Sequence, residues 1–491
     1  MAFAPTIHSI GDAQFLSQVL NAVAMIIGTN DFVQLVSIGL LLGAIIVVLQ
    51  GLFRGAREIP WHQLLLGWIL YACMFVPTTT VIVEDAYTGK AYPVDNVPVG
   101  VAFAGSMISN IGYGVTNLFE TAYGDVKGIS QGTFAEPLVI LNAVRQHSAD
   151  MRVLQELDKS IGQGTDIQKT LHNYIKECTL PKLALSITTP TDLVTGDMMD
   201  ELKFESSIYG TRSYIGNPSG QNLTCAEAWK KIEPALEKIK DPKFINQLST
   251  AANLKGEAGN KATYDDYQAA FDMLNMNGTA VEQFMLASTI KPIYEKAVSG
   301  YYRNLGDKTS AIMFNQAVQQ RNTQWAAEAS MFMTVVRPFL SFFEGFMYSI
   351  TPVLAFLLVL GGIGISLGIK YILLILWIQL WMPVLSICNL YIIMSARGEL
   401  AAQTFTSFYS VDKLGQSLEH WMATGGMLAS ATPLISLFLI TGSTFAFTSL
   451  TQRMAGGDHI NEKIPTPDIM RQGEFYAHGT AGNGNSFLGA I

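Results

Sequence analysis

Residues Ser341–Met394 read SFFEGFMYSITPVLAFLLVLGGIGISLGIKYILLILWIQLWMPVLSICNLYIIM. No charge interrupts Gly345 to Gly368, and after Lys370 none appears until Arg397. Each run exceeds the roughly 20 apolar residues that cross a bilayer core. Only Ile369–Lys370 and a neighbour or two are left to turn the chain, so residues 338–394 are expected to form a transmembrane helical hairpin. The other segments are read relative to it.

Composition agrees. Of 491 residues, 49% are hydrophobic and 14% charged, with a mean hydropathy of +0.28. Soluble domains carry about 25% charge. The net charge of -8 is spread along the chain and builds no acidic or basic tail, which gives no sign of a general nucleic-acid-binding surface. The first basic residue is Arg54, so no cleavable secretory signal is expected.

Residues 1–31 are expected to hold an amphipathic helix. Leu16, Val19, Leu20, Val23, Ile26 and Ile27 keep helical spacing, with Asp12, Gln14, Gln18 and Asn21 between them. That stripe fits a membrane surface, a partner subunit or the protein's own body, and all three readings stand. Two spans follow within 32–83: Phe32–Phe53, and His62–Val83 bent at Pro77. Gly39 and Gly43 form a small-xxx-small pair suited to close helix approach; Gly361, Gly364 and Gly368 repeat the theme in the hairpin.

Arg54 and Arg57 follow the first span, and no Lys or Arg precedes it. The positive-inside bias therefore places the N-terminus outside. Residues 84–337 then lie outside, the hairpin turns inside at Lys370, and residues 395–424 form an outside loop. A fifth span covers 425–450, bent at Pro433, and 451–491 form a flexible inner tail rich in Gly and Pro. Arg397 and Lys413 conflict with this scheme, because both fall outside.

Segment 84–337 holds 28 of the 39 acidic and 23 of the 31 basic residues. It reads as one water-exposed domain. Cys225–Lys243 and Tyr264–Leu286 look helical and strand alternation is scarce, so it is expected to be mostly α. Within it, the uncharged stretch 96–119 carries a stripe of Val101, Ala104, Ile108, Ile111, Val115 and Leu118. This is expected to be an interfacial or partner-packing helix; if it spans instead, the domain changes sides. Cys178 and Cys225 face an oxidising compartment under the first scheme and are expected to pair. Two free thiols are the alternative.

No phosphate-binding G-x-x-x-x-G-K-[ST] loop and no G-x-S-x-G elbow occurs. The seven His are scattered, and the Cys lack metal-ligand spacing. No catalytic residue, cofactor or metal is expected. Gln379, Asn389, Thr441 and Ser443 are polar residues within spans. Gln379 and Asn389 are read as hydrogen-bonding between helices, and a metabolite carrier is disfavoured. Lys230, Lys231, Lys238, Lys240 and Lys243 alternate with acids and read as a solvated helix face.

Val94-Asp95-Asn96-Val97-Pro98-Val99-Gly100 follows the first helix pair. Asn173–Cys178 and Leu223–Cys225 surround the two outer cysteines. On these motifs the chain resembles the N-terminal region of TraG, a polytopic inner-membrane protein of F-type conjugative type IV secretion systems. The layout is also similar to the polytopic channel component of VirB-type systems. The resemblance implies a multi-pass bacterial inner-membrane protein supporting mating-channel and pilus assembly and passage of a DNA–relaxase substrate. Its implied partners are the lipid bilayer, other copies in a cyclic homo-oligomer, and other secretion and pilus-assembly proteins. The long C-terminal extension of F-type relatives is not seen here, so mating-pair stabilisation and entry exclusion are not carried over; an integrative conjugative element fits better. Alternatives are a scaffold without a pore, a transporter, or an exported pore-former.

Overall fold

The computed structural model describes residues 4–442, except 54–60, 87, 124–133, 149, 252–262, 275, 277–279, 305–337 and 402–405. In chain order the elements begin with β1 (Thr6–Ser9), α1 (Ala13–Ile27), α2 (Asn30–Phe53), α3 (Trp61–Met74), β2 (Thr78–Asp85), β3 (Ala91–Pro98) and α4 (Val99–Tyr123). Next come α5 (Glu136–His147), α6 (Met151–Ile161), α7 (Ile167–Tyr174), β4 (Gly210–Ser213), β5 (Gln221–Thr224), α8 (Cys225–Glu237), α9 (Pro242–Ala251), α10 (Tyr264–Met273) and α11 (Ala280–Asn304). The last are α12 (Pro338–Leu358), α13 (Gly362–Gln379), α14 (Trp381–Leu400) and α15 (Phe408–Thr441). Helix dominates, as expected.

Two units divide the chain. One comprises Met1–Phe134, Ser330–Tyr391 and Gly425–Gln452; the other comprises Ala135–Ala329, Ile392–Thr424 and Arg453–Ile491. The first is apolar and the second polar. Arg397 and Lys413, which conflicted with the charge-based scheme, belong to the polar unit. That unit also takes residues 395–424, expected as a loop. Those residues are largely helical: α14 runs on to Leu400, and α15 begins at Phe408 rather than at 425.

Among the described residues, four helices are long and apolar enough to cross a membrane: Asn30–Leu49, Pro338–Leu358, Gly362–Leu400 (taken through Leu380) and Phe408–Thr441. Within the span expected over 62–83 only the first part is helical: α3 is followed by a strand. The helix stops at Met74 and β2 starts at Thr78. Thr-Thr-Thr-Val-Ile-Val is β-branched throughout, which favours the pleated strand over the helix after Pro77.

The apolar unit contains a three-stranded sheet in the order β1-β2-β3. β1 runs parallel to β2, with Ile7 opposite Val83, and β3 pairs antiparallel with β2. The parallel pair needs a long crossover, and α1–α3 provide it. Ile7, Val81, Val83, Val94 and Val97 are buried together with Leu16, Leu20 and Val23 of α1 and with Val101 and Ala102 of α4. Leu16, Leu20, Val23 and Ile27 of the α1 stripe are thus buried in the protein's own core, whereas Ile26 is exposed; residues 1–31 contain a strand as well as a helix. Asp12 caps α1 by accepting from the N–H groups of Gln14 and Phe15.

α4 also starts later than expected. Asn96, Val97 and Pro98 close β3, and the helix begins at Val99. Ile108 and the ring of Tyr371 share a small core with Ile375 of α13.

The apolar hairpin turns at a different place. α12 passes through a turn at Ile350 and ends at Leu358; α13 starts at Gly362. Gly361 sits between them at φ 85°, a conformation that glycine reaches without the Cβ clash. Lys370 lies inside α13, not in the turn. The expected tail 451–491 lies outside the described residues.

Candidate functional site

Glu344 sits in the apolar stretch of α12 and is 1% exposed. A carboxylate there is expensive unless donors surround it. Ser9 Oγ donates to it at 2.7 Å and the Gly11 N–H at 3.1 Å, with longer contacts from the Ile10 N–H and Gln379 Nε2 at 3.4 Å each. The Gln379 contact is the interhelical hydrogen bond expected of that residue. Among the described residues no cation pairs with Glu344; neutral donors serve it.

The approach that allows this is close. A Cβ on Gly11 would lie 2.5 Å from the Ser341 Cα, and one on Gly345 would lie 2.4 Å from the Phe15 ring. Residues 9–15 therefore lie tightly along α12. One turn beyond Glu344, Tyr348 is buried and its hydroxyl has no hydrogen-bond partner among the described residues. Tyr371 and Thr351 meet at 2.9 Å, and Trp377 Nε1 donates to the Pro433 carbonyl at 2.8 Å.

The seven-residue motif 94–100 builds the corner between β3 and α4. Val94 pairs with Val81 and Val97 with Thr79, so Asp95 and Asn96 together oppose Thr80. This is a β-bulge. Asn96 takes φ 60°, which Asn tolerates better than most residues. Asp95 accepts from the Thr80 hydroxyl at 2.7 Å. Val94 and Val97 are buried in the sheet core. The Val99 N–H donates to the Pro77 carbonyl, and a Cβ on Gly100 would lie 2.6 Å from that of Met74. The motif locks the end of α3 to the start of α4.

Of the five glycines singled out for helix packing, Gly39, Gly43 and Gly364 lie tightly against their own chain. A Cβ on Gly39 would meet the Phe356 ring at 2.7 Å, and one on Gly43 the Val359 carbonyl at 2.8 Å. A Cβ on Gly364 would lie 2.0 Å from the carbonyl of Leu357, across the hairpin turn, whereas Gly368 has room against Leu358 at 3.6 Å. Gly361 forms the turn itself.

In the polar unit, Cys178 and Cys225 form a disulfide with their Cα atoms 5.8 Å apart. Cys178 lies in a single π-helical turn, Ile175–Thr179, that continues α7. Cys225 opens α8, where Thr224 and Glu227 form a capping box. Around the bridge, Tyr174 and Trp229 rings lie 5.3 Å apart, and the Tyr174 hydroxyl accepts from the Phe204 N–H at 2.9 Å. Burial raises the Tyr174 pKa. Thr211 donates to Glu177 at 2.6 Å, which ties β4 to the same turn.

Segment 392–424 is held to the polar unit by charge. Arg145 pairs with Glu419, whose side chain is 1% exposed, and Lys291 pairs with Asp412. Arg397 Nε donates to the Met273 carbonyl at 2.8 Å. The lysine-rich helix face is used locally: Lys231 reaches Gln221, Lys238 the Ser160 carbonyl and Lys240 Glu237.

The described parts of both units therefore show devices that hold strands and helices together. Among the described residues no three His, Cys, Asp or Glu side chains gather where they could hold a metal ion. A family model described as TraG-like protein, N-terminal region, matches residues 6–462. No curated protein matches the chain, and no solved structure does.

Proposed function

Because the chain belongs to the TraG-like protein N-terminal region family, whose membership implies conjugative transfer, we propose that it is a non-enzymatic channel or assembly subunit of a conjugative type IV secretion system in the bacterial inner membrane. The family match over residues 6–462 carries this reading. Helices of membrane-crossing length and a separate polar unit support it. In this reading the polar unit and the N-terminus are periplasmic and the C-terminus cytoplasmic. Secretion and pilus-assembly proteins dock on the polar unit, while separate ATPases supply energy. Copies assemble into a ring through which the DNA–relaxase substrate passes.

The test is a donor strain deleted for this gene. Loss of transfer, restored by the gene in trans, is the expected result; undiminished transfer overturns the reading. Cysteine-accessibility labelling at residues 58, 260 and 480 tests the orientation, with outside labelling expected at 260 alone.

A scaffold without a lumen is the second reading. It is favoured by the way Gly39 and Gly43 meet Phe356 and Val359 of their own chain, which engages both glycines within one copy. Crosslinking of transferring DNA to α2 or α13 separates the two, because only the channel requires it.

A further inference from the structure

α13 carries one charge, Lys370, in an otherwise apolar sequence. Its side chain is exposed, and among the described residues no carboxylate pairs with it. A cation within a membrane-crossing helix must reach water or an anion. Helical side chains tilt toward the helix N-terminus, so Lys370 points back toward Gly362. There α2, α3 and α13 enclose a cleft of about 470 Å³.

Three polar side chains line it: Gln63, Ser366 and Lys370. None of them has a hydrogen-bond partner among the described residues. The remaining wall is apolar, with Ile46 and Val47 from α2 and Ile363 and Leu367 from α13. Outside the cleft, Leu42, Ile45 and Leu49 of α2 are exposed. The site therefore offers a positive, hydrogen-bonding pocket that opens beside an apolar surface. Trp61, which opens α3 and is 51% exposed, has the position of an interfacial anchor at the same end of that helix.

We propose that this cleft binds an anionic phospholipid. The phosphate is held by Lys370, Gln63 and Ser366, and the acyl chains run along α2 and α13. A ligand that satisfies both the unpaired ammonium and the apolar wall must be anionic at one end and apolar over its length. Basic pockets between membrane helices bind acidic headgroups in this way. The proposal is independent of any role in conjugation.

The test uses the full chain in nanodiscs of equal phosphatidylglycerol and phosphatidylcholine, with retained lipids weighed by native mass spectrometry. The wild type is expected to retain phosphatidylglycerol selectively. Lys370→Gln should lower that retention about fivefold, the worth of one lysine at an acidic surface. Lys370→Arg should preserve it. Ser366→Leu fills the cleft without changing charge and should cause a similar loss. An intact disulfide and an unchanged melting temperature would show that the variants fold. Wild-type retention by Lys370→Gln or by Ser366→Leu overturns the proposal: the first removes the role of the ammonium, the second that of the cleft. Inorganic phosphate bound in lipid-free detergent and not displaced by phosphatidylglycerol would also overturn it, as would a crosslink from Lys370 to a carboxylate of a second copy.

Discussion

The hydroxyl of Ser9 donates to the carboxylate of Glu344 at 2.7 Å, joining the first strand to an apolar helix 335 residues away. Removing that acceptor strands several donors at once. Each buried group left unsatisfied costs about 1–3 kcal/mol. Glu344→Ala should therefore lower the melting temperature of the detergent-solubilised protein more than Ser9→Ala, with Glu344→Gln between them. An unchanged melting temperature for Glu344→Ala would show that the contact does not hold the strand.

The disulfide spans a sequence separation of 47 residues. In the chain-entropy model, closing such a loop is worth about 4 kcal/mol. Cys178→Ser should lower the yield of folded protein, and the polar unit should become sensitive to limited proteolysis. Equal protease resistance with and without the bridge would count against this.

Asp158 offers a pH readout within the polar unit. Burial is the main cause that lifts its pKa to about 6, and the neighbouring charge of Asp166 adds to it; the hydrogen bond from the Ile167 N–H opposes both. An acid with a raised folded pKa binds its proton more tightly folded than unfolded. Its contribution to stability is thus most favourable below the unfolded value and is lost as pH rises through about 6. Asp158→Asn keeps an acceptor for Ile167 and removes the titration. Denaturant midpoints measured from pH 4.5 to pH 7.5 should fall less steeply in the variant than in the wild type. Parallel profiles would rule out this group as their source.

Gly43→Leu should destabilise the single chain, because its side chain would strike the Val359 carbonyl. Overpacking of this kind costs about 1–3 kcal/mol. The expected result is a lower melting temperature at every protein concentration. A change in oligomer size with an unchanged melting temperature would instead return Gly43 to a contact between copies.

The parts of this fold legible in the sequence were those that depend on summed apolarity. The apolar stretches, the charged block and the overall helical class needed only counting. The sheet did not show. Its strands are four to eight residues long, and Val81 and Val83 satisfy a strand core as readily as the tail of a membrane helix. The stripe of α1 was visible, but a stripe does not name what covers it. The hairpin turn does not coincide with Lys370, the one charge between Gly345 and Met394; the backbone turns at Gly361, where φ rather than polarity decides. Glu344 stands at the edge of the uncharged run that begins at Gly345. Its meaning required Ser9 and Gly11, whose proximity no local pattern encodes.

β1 is made before everything it touches. Its pairing strand, β2, is completed more than 70 residues later, and Glu344 is added only after most of the chain. Domains form as the chain emerges, and long-range contacts wait for their partners. The amino-terminal strand therefore meets its sheet partner early but waits for Glu344 until α12 is made. Its docking along α12 waits for a later partner, so β1 can join the sheet before it is tied to the helix.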